Sequence, residues 1–166
     1  MLSRILIPLD GSALSQTALD FAERIVNTQC EIILLMAVQE SDIPAYDPNP
    51  RMNLNPEYNV LGNALETAKR QLGEAADALR EHGYPTTICV EVGDPAQVII
   101  HVANSLNVDL IIMSTHGRTG IDRLLHGSVT GQVLGGASQP VLVVGNQKHQ
   151  RTPRLENMAV NLVGVI

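Results

Sequence analysis

The stretch VDLIIMSTHGRTGIDRLLHGSVT, residues 108–130, decides the architecture. Residues 108–113, VDLIIM, have the length and aliphatic content of a buried strand. A segment rich in glycine and small hydroxyl residues follows, and a helix begins near Gly127-Ser128. Strand, glycine-rich loop and helix in succession form the repeating step of an α/β fold. Two readings of the loop stand at this point. It cradles a phosphate, or it is a turn that leads into a helix cap.

The same pattern extends in both directions. Four more runs have strand character: residues 4–9 (RILIPL), 31–38 (EIILLMAV), 86–92 (TTICVEV) and 140–144 (PVLVV). Helical periodicity fills the gaps. Leu14, Ala18, Phe21, Ala22 and Ile25 mark one face of a first helix. Leu61, Leu65, Ala68, Leu72, Ala75 and Leu79 mark a second. A third opens at Asp94-Pro95, an N-cap followed by proline in the first turn, with Val98, Ile99, Val102 and Leu106 inward. The fourth is weak, because Gly131, Gly135 and Gly136 each disfavour helix by up to ~1 kcal/mol. The order β-α-β-α-β-α-β-α-β predicts an α/β domain with an open, doubly wound parallel sheet and helices on both faces.

Composition agrees. At 166 residues the chain suits one domain. Hydrophobic residues make up 45% but aromatics only 2%, so the core is built from aliphatic side chains, as in parallel sheets covered on both faces. The net charge of −6, with Lys69 and Lys148 as the two lysines, argues against nucleic acid as a partner. No run reaches the roughly 18 apolar residues of a membrane span. The opening MLSRILIPLDGS is too short in its apolar part for a signal peptide. A cytoplasmic protein is expected. Cys30 and Cys89 form no CxxC and read as buried thiols, with redox or metal roles as the alternative.

Two segments stand outside the pattern. Residues 39–58 hold four of the nine prolines and read as a long loop, either a lid over a ligand or a plain surface loop. Residues 1–146 make the domain; residues 147–166 form a tail that ends in Met158, Ala159, Val160, Leu162, Val163, Val165 and Ile166. The tail adds a strand to a sheet edge, its own or a partner's, or packs on its own domain.

In open α/β sheets, ligands bind beyond the carboxyl ends of strands where strand order reverses. Asp10 ends the first strand and is placed to accept from ribose hydroxyls, or to cap the first helix with Ser12. Gly117 frees the loop after the fourth strand, and Gly127-Ser128-Val129-Thr130 supplies a helix N-terminus with two hydroxyls. Competing motifs are missing: no Walker loop, no GxGxxG, no GxSxG and no HExxH. No nucleophile–base pair is visible and no metal ligand set is assigned, so no catalytic residue is named.

These residues resemble the universal stress protein family, from RILIPLDGS at 4–12 to PVLVVG at 140–145. The nucleotide-binding branch of that family carries Gly, two residues, Gly, nine residues, then Gly with Ser or Thr. Here the register reads Ser114-Thr115-His116-Gly117, nine residues, then Gly127-Ser128. The resemblance implies strand order 3-2-1-4-5 and a site for ATP, or for ADP or AMP, with Mg or Mn held through the phosphates where one accompanies them. It implies that Pro8, Leu9 and Asp10 lie at the nucleoside, with Ala37 against adenine and Met113 and Ser114 facing the nucleoside. It further implies that His116, Gly117, Gly127, Ser128, Val129 and Thr130 hold the phosphates. Arg118 is added from its charge and place. Ser114 departs from the family's glycine; were that backbone left-handed, its Cβ would cost ~1–2 kcal/mol. The function implied is a nucleotide-dependent stress regulator with at most slow ATP hydrolysis. The alternatives are a nucleotide-free interaction module of the same family and a nucleotidyl- or phosphoryl-transfer enzyme. A homodimer through the fifth strand is expected, together with regulatory protein partners.

Overall fold

The computed structural model describes residues 2–12, 15–39, 60–115 and 129–145. Nine elements alternate along them: β1 (Arg4–Pro8), α1 (Ser15–Ile25), β2 (Glu31–Val38), α2 (Val60–Glu81), β3 (Thr86–Val92), α3 (Pro95–Ser105), β4 (Leu110–Thr115), α4 (Val129–Gly136) and β5 (Val141–Gly145). The five strands form one sheet in the order β3-β2-β1-β4-β5, and every pairing is parallel. The long loop, the loop of residues 116–128 and the tail lie outside the described residues.

Strand periodicity divides the core into two layers, because alternate side chains point to opposite faces. Ile5, Ile7, Ile32, Leu34, Met36 and Ile112 face α1 and α2, where they meet Ala18, Leu19, Ala22, Ala68, Leu72 and Leu79. Leu6, Ile33, Leu35, Ile111 and Met113 face α3 and α4, where they meet Ala96, Ile99, Val102 and Val133. Both faces of β1 and β2 are therefore covered, which is why those segments read as unbroken apolar runs.

Helix faces follow the expected periodicity with exceptions at the ends. Ile25, Leu61 and Leu106 are exposed; each sits at or beside a helix end, where the helix has run past the sheet it covers. Asp94 caps α3 by accepting from the Gln97 amide at 3.0 Å, with Pro95 in the first turn.

Strand boundaries shift for local reasons. The fourth strand is expected at 108–113 but runs from Leu110 to Thr115. The Val108 amide donates to the Ala103 carbonyl and closes α3, and Asn107 takes a left-handed φ of 48°. Asp109 uses its carboxylate on the amides of Ser3 and Arg4, at 2.7 and 2.9 Å. The fifth strand begins after Pro140, which has no amide to donate, and extends to Gly145, paired with Thr115.

Side chains tie the amino-terminal ends of the strands together. Arg4 donates to Glu31 at 2.8 Å and to the Leu106 carbonyl at 2.6 Å. The other Glu31 oxygen accepts from the Thr87 hydroxyl at 2.9 Å. With Asp109, this network joins β1, β2 and β3 to the turn that precedes β4.

Candidate functional site

Strand order reverses between β1 and β4, since the chain builds outward from β1 through β2 to β3 and then crosses to β4. In open α/β sheets, ligands bind beyond the carboxyl ends of the strands at such a reversal. Ile5 pairs with Leu110 and Leu6 with Ile111; the same register carried forward sets Pro8 beside Met113.

The expected site residues divide by face. Pro8 alternates with Ile7 and Leu9, so it shares the face of Leu6, toward α3 and α4. Ala37 shares that face with Leu35, and Met113 belongs to that core layer directly. Pro8, Ala37 and Met113 thus stand on one side of the sheet at its carboxyl edge. Val129, the first residue of α4, packs on the same side, and Thr130 beside it is buried.

Leu9 and Ser114 fall on the other face. The Leu9 side chain is buried in the α1/α2 layer, while its amide donates to the Leu35 carbonyl at 2.8 Å. Ser114 alternates with Met113, so it shares the face of Ile112, and it pairs with Val144 of β5. Its backbone is not left-handed: among the described residues Asn107 is the non-glycine with positive φ. Serine is therefore accommodated there without the strain a left-handed position would impose. His116, Gly117, Arg118, Gly127 and Ser128 lie outside the described residues.

Asp10 occupies the turn from β1 to α1. Its Oδ1 accepts from the Ser12 amide at 2.9 Å, an Asx turn. Ser12 continues the cap: its carbonyl accepts from the Ser15 amide and hydroxyl, at 3.1 and 2.7 Å. Partial burial disfavours the charged carboxylate, but the hydrogen bonds from Ser12, from its own amide and from Ser15 outweigh it and hold Asp10 below its usual range. The carboxylate is therefore ionised at neutral pH, and it remains exposed at the sheet edge.

A concavity not foreseen in the sequence lies on the α1/α2 side of the same turn. It measures about 410 Å³ and is lined by Leu9, Gly11, Met36, Gln71, Glu74 and Ala78, among others. Its walls come from three separated segments, so no local pattern announces it. The two cysteines are free; Cys30 is buried and Cys89 partly so. Among the described residues, no cluster of three or more metal-ligating side chains occurs, and no helix is long and apolar enough to cross a membrane.

A parallel sheet of order 3-2-1-4-5 with helices on both faces defines a doubly wound, Rossmann-like class of α/β domain. The model of the universal stress protein family matches residues 1–145, and the chain belongs to that family. It is 31% identical over 154 residues to universal stress protein MJ0577 of Methanocaldococcus jannaschii, covering 87% of this chain and 95% of that protein. The solved structure of MJ0577 superposes with a TM-score of 0.71 over 90% of this chain and 99% of the other. Two more distant structures share the fold. One is a universal stress protein in complex with cAMP (24% identity, TM-score 0.54, 86% of this chain and 97% of that one). The other is At3g01520 of Arabidopsis thaliana with AMP bound (15%, 0.63, 92% and 97%).

Proposed function

We propose that this chain binds an adenine nucleotide, ATP foremost, at the carboxyl edge of β1 and β4, and acts as a nucleotide-dependent regulator in stress response with at most slow hydrolysis. One observation carries the reading. Pro8, Ala37 and Met113, from three different strands, stand on one face at the strand-order reversal, with the ionised Asp10 at the adjoining turn. Small or flexible apolar groups suit a base, and a carboxylate at a strand end suits ribose hydroxyls. The start of α4 stands on the same side, and a helix start offers amides to phosphate. The glycine spacing from Ser114 to Ser128 supports the phosphate half, with His116, Gly117, Gly127, Ser128, Val129 and Thr130 as donors and Arg118 as a positive charge. The adenine nucleotides held by two proteins of the same fold support the base and ribose half.

The test is direct. Purified protein is denatured, its supernatant run on anion exchange, and the refilled or apo protein titrated calorimetrically with ATP, ADP and AMP, with and without magnesium. Near-stoichiometric nucleotide is expected, and Gly127→Val should abolish it. Ser114, where the nucleotide-binding pattern has glycine, favours a second reading as a nucleotide-free interaction module. No co-purified nucleotide and no heat at high micromolar ATP would overturn the nucleotide reading and favour that second reading instead.

A further inference from the structure

The turn that carries Asp10 is held from two sides. On the α1 side, Ser12 and Ser15 fix it by hydrogen bonds. On the α2 side stands Gln71. Gly11 has a left-handed φ of +76°, and a Cβ built there would lie 2.9 Å from Gln71 Oε1 and 3.6 Å from its Cδ and Nε2. The three nearest heavy atoms thus all belong to one side chain. Gln71 is exposed, but the next residue, Leu72, is fully buried in the core layer that also holds Leu9. The backbone of α2 is anchored at this level, and the amide of Gln71 is set against Gly11 from a fixed base. Glu74 and Ala78, on the same helix face, line the cleft beside it.

We propose that Gln71 is a positioning residue: its side chain fills the space against Gly11 and braces the Asp10–Ser12 turn by packing, so that α2 sets nucleotide affinity without touching nucleotide. This inference rests on the nucleotide reading above. Shortening Gln71 leaves Gly11, the residue with the widest conformational freedom, without its neighbour. The Asp10 carboxylate then samples more orientations, and the ligand must select among them. A methionine, of similar length but without the amide, keeps the space filled.

The experiment titrates ATP into the wild type, Gln71→Ala, Gln71→Met, Gly11→Ala and the Gly11→Ala/Gln71→Ala double variant, with ligand-free melting for each. Gln71→Ala should weaken ATP roughly 3–10-fold while its ligand-free midpoint stays at the wild-type value, since exposed positions contribute little to global stability. Gln71→Met should restore affinity to within about twofold. Gly11→Ala drives a methyl into Gln71, so the double variant should bind ATP better than Gly11→Ala alone. Wild type that binds while Gln71→Ala matches it overturns the bracing role alone. Equal losses in Gln71→Ala and Gln71→Met, with lowered melting in both, also overturn it, since that is the signature of a structural residue. Failure of the wild type to bind nucleotide overturns the nucleotide reading and this inference with it.

Discussion

Asp10 accepts a backbone amide that any oxygen-bearing side chain of its length could accept. Asparagine can keep the bond to Ser12 while losing the charge. Asp10→Asn is therefore expected to melt close to wild type and to bind ATP about tenfold more weakly, a loss of ~1.4 kcal/mol. Asp10→Ala should lose both properties. Calorimetric titration beside thermal melting separates the two. Gly11 carries a different constraint. At φ +76° an L side chain costs ~1–2 kcal/mol, so Gly11→Ala should lower unfolding stability by at least about 1 kcal/mol in a denaturant titration. Asp10 and Gly11 were visible in the sequence, because a carboxylate followed by glycine after an apolar run marks a strand-end turn. Gln71 was not. It is one polar residue on the solvent side of a long helix, and its neighbour lies sixty positions away. Ser114 shows the opposite limit. The sequence raised a concern about backbone strain that only φ could resolve, and an extended strand resolves it.

Elements were legible where side chains repeat on a period. The aliphatic runs of β1 and β2 and the 3.6-residue stripe of α2 are local patterns, and local patterns survive in the sequence. Their ends are set by partners elsewhere. Val108 and Asp109 look like strand residues, yet one closes α3 and the other holds the amides of Ser3 and Arg4. Helix α4 invites a test at this scale. A Cβ at Gly135 meets nothing within 4 Å, whereas one at Gly136 lies 2.8 Å from Ile100 Cδ1. Gly135→Ala should stabilise the protein by up to ~1 kcal/mol, the helix-propensity difference. Gly136→Ala should fall short of that gain, because Ile100 must move. Equal effects in chemical denaturation would show that Ile100 yields freely.

At the scale of the whole molecule, alternation of strands and helices does not specify which strands are neighbours. The order 3-2-1-4-5 came from resemblance to a family, and the described sheet has it. Charge adds a second whole-molecule property. Hydrogen bonds hold three carboxyls below their usual values: Glu31 through Arg4, Asp109 through the Ser3 and Arg4 amides, and Asp10 through Ser12 against partial burial. A lowered folded-state value means that the contribution is present above the unfolded value, 3.8 for Asp and 4.5 for Glu, and is lost as pH falls below it. His82 goes the other way. Its bond to Glu23, at 2.6 Å, raises it above 6.5. That contribution is complete below pH 6.5 and fades as pH rises through the raised value. Melting temperature should therefore peak between about pH 5 and 6.5, and His82→Gln should flatten the alkaline side. Assembly belongs here as well. β5 ends the described sheet with partly exposed Val141, Leu142, Val143 and Val144, and an open edge invites pairing. We propose a homodimer through β5. Sedimentation at micromolar concentration should give twice the monomer mass, and a single monomer species would overturn it.

The salt-bridged and hydrogen-bonded network of Arg4, Glu31, Thr87 and Asp109 lies at the end of the sheet opposite the proposed nucleotide site. The strands are riveted there, like the blades of a fan at its handle. The proposed nucleotide site is at the spread end, in turns that lie apart from this network. That separation makes the protein a frame for exchange. A library that varies Asp10 and the ends of β2 and β4, with Gly11 kept, should yield folded members with altered ligand binding, whereas one that varies Arg4, Glu31 and Asp109 should yield folded members with lowered melting temperatures and little change in binding.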